Sequence, residues 1–199
     1  MNYTRLKFTI DGAFRMRKKK NRQVKPVPDY KDIYRLAEQY YETSVFLEES
    51  SKGNREKMSA PRILVDSFAV ELYLKCLYVL DKNAAPPGVH EWDTLFDALA
   101  SHTKTAIREA YDRIIKSDPV LSNIEIINPE AFIVKDFNRS LIVAKNTFDK
   151  GRYSYEKLLP NDWFYAHVVR DAIRDVTRMD IRLASVIKDL ENESQQGDD

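Results

Sequence analysis

The chain has 199 residues, 43% of them hydrophobic, with 32 Lys and Arg against 31 Asp and Glu and a formal net charge of +1. That length and apolar content fit one domain with a substantial core, and five Gly and eight Pro leave little room for a turn-rich β architecture. A chain so close to neutrality is not a general polyelectrolyte binder, so affinity for nucleic acid or another anion must come from local patches.

The N-terminus has no apolar h-region, so no secretory signal is expected. Leu6, Phe8 and Ile10 alternate with polar residues, and Asp11-Gly12 is a turn signal, so residues 3–17 predict a short β-hairpin. Arg15, Arg17, Lys18, Lys19, Lys20, Arg22 and Lys25 follow, seven basic residues among eleven. Such a run reads as a phosphate-binding arm or as a solvated linker that shields a hairpin edge. Pro26 and Pro28 close it, marking residues 1–28 as an appendage.

Asp29 is placed to cap a helix running to about Ser50, with Ile33, Leu36, Ala37, Tyr40, Tyr41, Val45, Phe46 and Leu47 as its apolar positions. The stretch Ser59–Lys82 predicts a second helix, N-capped by Ser59 with Pro61 in its first turn. Its apolar residues surround the helix, which marks a buried element. The single Cys76 lies within it and has no intramolecular partner, which fits a small core hydrophobe in a reducing cytoplasm. Glu71 and Lys75 interrupt the apolar run, and they exclude a membrane-spanning reading.

Ala84-Ala-Pro-Pro-Gly-Val89 predicts a rigid turn. A short third helix follows from His90 to Leu99, with Trp92, Leu95, Phe96 and Leu99 as its stripe. A fourth, from about His102 to Lys116, carries Ala106, Ile107, Ala110, Tyr111, Ile114 and Ile115. Residues 117–128 read as a loop, with a short strand over 123–127 as the alternative. Pro129 opens a helix to about Lys150, with Gly151 as its stop. The last helix is expected from Asn161 or Asp162 to about Leu190, striped by Phe164, Val168, Ala172, Val176, Met179, Leu183, Val186 and Leu190. Residues 191–199 are polar, acidic and expected to be disordered. The fold class is therefore all-α: an antiparallel bundle of five to six helices over residues 29–190, with the hairpin as an N-terminal addition.

Three motifs on this frame, Ser67-Phe-Ala-Val-Glu-Leu-Tyr-Leu-Lys75, Gly88-Val-His-Glu-Trp-Asp-Thr-Leu-Phe96 and Arg152-Tyr-Ser-Tyr-Glu156, resemble the prokaryotic HEPN-like domains between about Asp29 and Leu190. The resemblance implies an antiparallel bundle that usually homodimerises, in the company of RNases, toxins, phage-defence proteins and RNA-processing factors. Catalytic members of that family carry an Arg and a following His with four to six residues between them, and none of His90, His102 or His167 has an Arg five to seven positions before it. No catalytic residue is therefore carried over.

Glu71 and Lys75 stand at i and i+4, the favourable order for a helix ion pair. If buried, they must be paired. One reading is a structural network in which they meet Arg152, Glu156 or His90. The other is a cleft where Lys75, Arg152 and His90 bind a phosphate, oriented by Glu71 and Glu156, with Tyr155 alongside. Arg170, Arg174, Arg178 and Arg182 recur every four residues among Asp171, Asp175, Asp180 and Asp189. That mixture reads as a solvated face with ion pairs, or as a nucleic-acid or dimer surface. No residue cluster predicts a metal, and no Gly-rich loop predicts a nucleotide cofactor. The expectation is a cytoplasmic, dimeric, non-catalytic HEPN-like protein that binds RNA or a nucleotide-bearing partner. The alternatives are a divergent ribonuclease or toxin using His90, Arg152 and Lys75, and an antitoxin-like adaptor.

Overall fold

The computed structural model describes residues 26–50, 55–123, 136–144 and 166–196, and every regular element among them is helical. The all-α expectation is met, with eight α-helices among the described residues. They are α1 (Tyr30–Ser50), α2 (Arg55–Lys82), α3 (Trp92–Asp97), α4 (Ser101–Ser117), α5 (Pro119–Ser122), α6 (Phe137–Ala144), α7 (Ala166–Arg178) and α8 (Ala184–Gln196). The count exceeds five to six because a one-turn helix occupies the expected loop after α4 and the last helix is broken in two. The expected hairpin and basic run, residues 1–25, lie outside the described residues. None of the described helices is long and apolar enough to cross a membrane.

Asp29 caps α1 as expected: its Oδ1 accepts a hydrogen bond from the Lys31 amide at 2.8 Å. The second helix starts at Arg55 and runs through Ser59, so Ser59 is not its N-cap and Pro61 lies inside it. Arg55, Glu56, Lys57 and Met58 are good helix formers, and Pro61 sits on an exposed face where losing one backbone bond costs least. From Ile63 to Asp81 no residue of α2 is exposed. The helix is the buried rod its composition implies.

α1 and α2 are antiparallel, as their paired residues show. The Tyr30 carbonyl accepts from the Cys76 thiol at 3.4 Å. Tyr40 stacks on Phe68 at 5.2 Å, and Glu48 pairs with Arg62 at 3.3 Å. One series rises as the other falls. α7 lies against both, antiparallel to α1, with Arg178 beside Tyr34 and Arg170 beside Ser44.

The α1 stripe is corrected in part. Tyr34, Ala37, Glu38 and Ser44 are buried, whereas Leu36 and Phe46 are exposed. Trp92, Leu95, Phe96 and Leu99 are all buried, as their spacing implies. Phe137 wedges between Phe96 at 5.0 Å and Tyr111 at 5.3 Å, tying α6 to α3 and α4. Tyr111 shares a 2.7 Å hydrogen bond with buried Ser140. α6 begins at Phe137, because Asp136 is its cap and accepts from the Arg139 amide at 3.1 Å. Asp136 thus stands as a break within the continuous helix expected from Pro129. α4 has no side-chain cap of its own at Ala100. Asp81, in the last turn of α2, supplies one: its carboxylate accepts from the Ala100 amide at 2.8 Å and from the Thr103 hydroxyl at 2.7 Å.

The last helix breaks after Arg178. Asp180 is extended, at φ −73° and ψ 117°, and its carboxylate accepts from the Arg182 amide at 2.9 Å. One 3₁₀ turn, Ile181–Leu183, leads into α8. α8 continues to Gln196, six residues beyond Leu190 and into the stretch expected to be disordered.

Candidate functional site

Two charged clusters sit on the central helix, and they differ in how they meet solvent. The first is the one the sequence singles out. Glu71 lies on the α2 face with its side chain 10% exposed, and Lys75, one turn on, donates to its Oε1 at 2.5 Å. His90 completes the group. Its Nδ1 lies 3.0 Å from Oε1 and 3.1 Å from Oε2 of Glu71, and its side chain is 73% exposed. An ionised carboxylate only accepts, so the Nδ1 proton faces Glu71.

The chain between α2 and α3 explains how His90 arrives there. α2 stops at Asn83, which adopts a left-handed φ of 47° while its amide reaches back to the Val79 carbonyl at 2.8 Å. Glu71 lies twelve residues, or about 18 Å of helix, before that turn. Seven residues lead from Asn83 to His90, a reach of about 24 Å when extended. Pro86 and Pro87 favour such an extended run. Buried Trp92 then anchors the start of α3. The expected turn is thus a return strap along α2, and it presents His90 at the edge of the Glu71–Lys75 pair.

The second cluster is buried and joins α1, α2 and α7. Arg170 donates to Asp66 at 2.5 Å and to the Ser44 hydroxyl at 2.6 Å, and all three are buried. Arg170 also pairs with Asp171 at 2.8 Å. One turn along, Arg174 forks onto Glu38 at 3.0 and 2.7 Å, and the Tyr73 hydroxyl donates to the same carboxylate at 2.7 Å. Both guanidinium groups lie over the Tyr41 ring, Arg170 at 4.7 Å and Arg174 at 3.8 Å from its centroid. Burial pushes the Glu38 carboxyl up, but the Arg174 fork and the Tyr73 hydroxyl outweigh it, and the net shift is downward. Burial, then the Glu38 charge, drives the Tyr73 phenol well above its ordinary range. Among the described residues, no buried side-chain nitrogen or oxygen lacks a hydrogen-bond partner.

This cluster corrects the reading of the arginine stripe as a solvated face. Four residues are about 40° more than one helical turn, so a four-residue repeat drifts around the helix. Arg170, Arg174 and Arg178 are accordingly 4%, 20% and 29% exposed. Arg182, beyond the break, is exposed, with its guanidinium on Asp180 and on the Leu80 carbonyl.

Of the residues singled out by sequence, the structure brings together Glu71, Lys75 and His90. Arg152, Tyr155 and Glu156, and the basic residues Arg15 to Lys25, lie outside the described residues. His102 is exposed and stands 3.7 Å from Asp81. His167 is half-buried, and burial lowers its proton affinity. Glu38, Asp66, Arg170 and Arg174 form the buried centre that sequence reasoning missed. Its signal was a carboxylate on the core-facing side of each of α1 and α2, with an arginine pair one turn apart to meet them. Among the described residues no cluster of His, Cys, Asp and Glu could hold a metal. The Cys76 thiol, pushed up to about 12 by burial, is a packing group. No family model, no curated protein and no solved structure matches this chain.

Proposed function

We propose that this chain is a HEPN-like helical protein of the cytoplasm that dimerises and binds RNA or a nucleotide-bearing partner, without the Arg–His pair of the catalytic members. One observation carries the reading: a nearly buried Glu71 holds both the Lys75 ammonium and an exposed His90 imidazole. Fold stability would be served by the Glu71–Lys75 pair alone. An imidazole mostly in solvent adds little burial, but its orientation is fixed by the carboxylate. The ammonium carries three donors, one of them directed to Glu71. Lys75 and His90 thus offer a phosphate two polar groups on one carboxylate-braced edge. Residues 15–25 supply further phosphate contacts of the non-specific kind.

A gel shift with single-stranded RNA at low and moderate salt tests the nucleic-acid part. Retarded RNA that is released as salt rises is the expected result, and free RNA at both salts would sink it.

A second reading, a divergent ribonuclease, is favoured by the His90 Nδ1 contact, since a carboxylate behind an imidazole is how a general base is oriented. Purified protein incubated with total RNA decides it. Cleavage that disappears in His90→Ala supports this reading, and RNA left intact by the wild type removes it.

A further inference from the structure

The break between α7 and α8 has one local signal, the N-cap residue Asp180. Arg178-Met-Asp-Ile-Arg182 contains neither Gly nor Pro, the residues that ordinarily stop a helix. Ala172, Val176, Met179, Leu183, Val186 and Leu190 alternate steps of four and three straight across it, as one face of an unbroken helix would. The break also leaves two large apolar side chains in water: Met179 is 70% exposed and Ile181 84%.

A local cap and longer-range contacts together hold the chain bent. The Asp180 carboxylate caps the turn, and Arg182 reaches the Leu80 carbonyl at 2.8 Å. Arg178 pairs with Glu191 at 2.7 Å across thirteen residues. On a straight helix those two residues would stand about 20 Å apart, so the pair exists only in the bent form. It lies at the surface, where such a pair is weak. Leu183 and Val186 are buried and dock α8 on the core.

We infer that Met179–Ile181 is a hinge through which two copies of this chain exchange α8. Opened, α7 and α8 become one helix from Ala166 to Gln196, roughly 46 Å long. The first half keeps Val168 and Ala172 on its own core. The second half carries Leu183 and Val186 on the same side, where they dock on the partner copy and re-form the contacts of the bent monomer. Two such helices meet at the hinge, where Met179, on the same side as Leu183 and Val186, is covered, while Ile181, about 200° further round the helix, stays on the opposite side. The proposal specifies the dimer of the preceding reading and rests on that part of it.

Two substitutions in the full chain push the hinge in opposite directions. Ile181→Pro fits the bent form, since Asp180 already has the extended backbone required before proline and position 181 opens the 3₁₀ turn. It forbids the continuous helix. Asp180→Ala removes the cap and favours the helix. Light scattering behind size exclusion, over a concentration series, reads the outcome. Ile181→Pro should be monomeric with its helical circular dichroism retained. Asp180→Ala should raise the dimer association constant roughly thirtyfold over wild type, about fivefold for each of the two chains that open. A folded Ile181→Pro that dimerises as the wild type does would overturn the exchange and leave the dimer intact. An Asp180→Ala protein no more dimeric than wild type would also count against the hinge. If wild type and Asp180→Ala are both monomeric up to about 1 mM, where Kd corresponds to only about 4 kcal/mol, the exchange and the dimer fall together.

Discussion

The most consequential residues for stability are charged ones inside the bundle. Asp66 and Arg170 are both buried and paired, so removing one partner strands the other. Asp66→Ala is expected to cost about 3–5 kcal/mol in urea unfolding, whereas Asp66→Leu combined with Arg170→Met should cost much less than the sum of the single changes. Additive losses would mean that the two do not act as a pair. Glu38 adds an acid dependence. Its folded carboxyl lies below its ordinary value of 4.5. The stabilisation is therefore complete above that value and is lost as pH falls through the lower, folded one. Thermal melts between pH 7 and pH 3 should show a steeper acid loss for wild type than for Glu38→Gln, and parallel curves would refute the assignment. At this scale the sequence was only half legible. Glu71 and Lys75 stood out because nothing else charged lies near them in α2. Glu38 and Asp66 did not, since a carboxylate beside a Ser or among Tyr and Gln looks solvated until the arginine facing it is known. That arginine is over a hundred residues away in both cases.

At the scale of elements, interiors were legible and ends were not. The apolar period identified α1, α2, α3 and α4, because burial of one stripe is what makes each a helix. Ends depend on single hydrogen bonds, some supplied from elsewhere. Asp81 caps α4 from another helix, a contact invisible to a local pattern. Asp81→Ala should destabilise the protein by about 1 kcal/mol and speed amide exchange in the first turn of α4 more than in α2. Uniform exchange across both helices would show that the cap is not local. The end of α7 is illegible for the same reason. Its stripe continues through Met179 and Leu183, and the bend is held by the Asp180 cap, by Arg182 on the Leu80 carbonyl and by the Arg178–Glu191 pair.

For the whole molecule, α1, α2 and α7 form one unit fastened by the Arg170 and Arg174 centres, with α3, α4 and α6 packed through Trp92, Phe96, Tyr111 and Phe137. The all-α class followed from composition and period. The site followed only in part, since the strap that carries His90 back to Glu71 depends on where α2 stops. On the proposed function, the buried centre and the solvent-edge trio have separate tasks, the one fixing the bundle and the other offering Lys75 and His90 to a phosphate. The direct measurement of that division is fluorescence anisotropy of a labelled single-stranded RNA with wild type, Lys75→Met and His90→Ala, at about 50 and 200 mM salt. His90→Ala is predicted to keep the wild-type melting temperature within a few degrees and Lys75→Met to lower it, because it strands the Glu71 carboxylate, and each, while folded, to bind about tenfold more weakly. Wild-type affinity in both variants would contradict the assignment of this site.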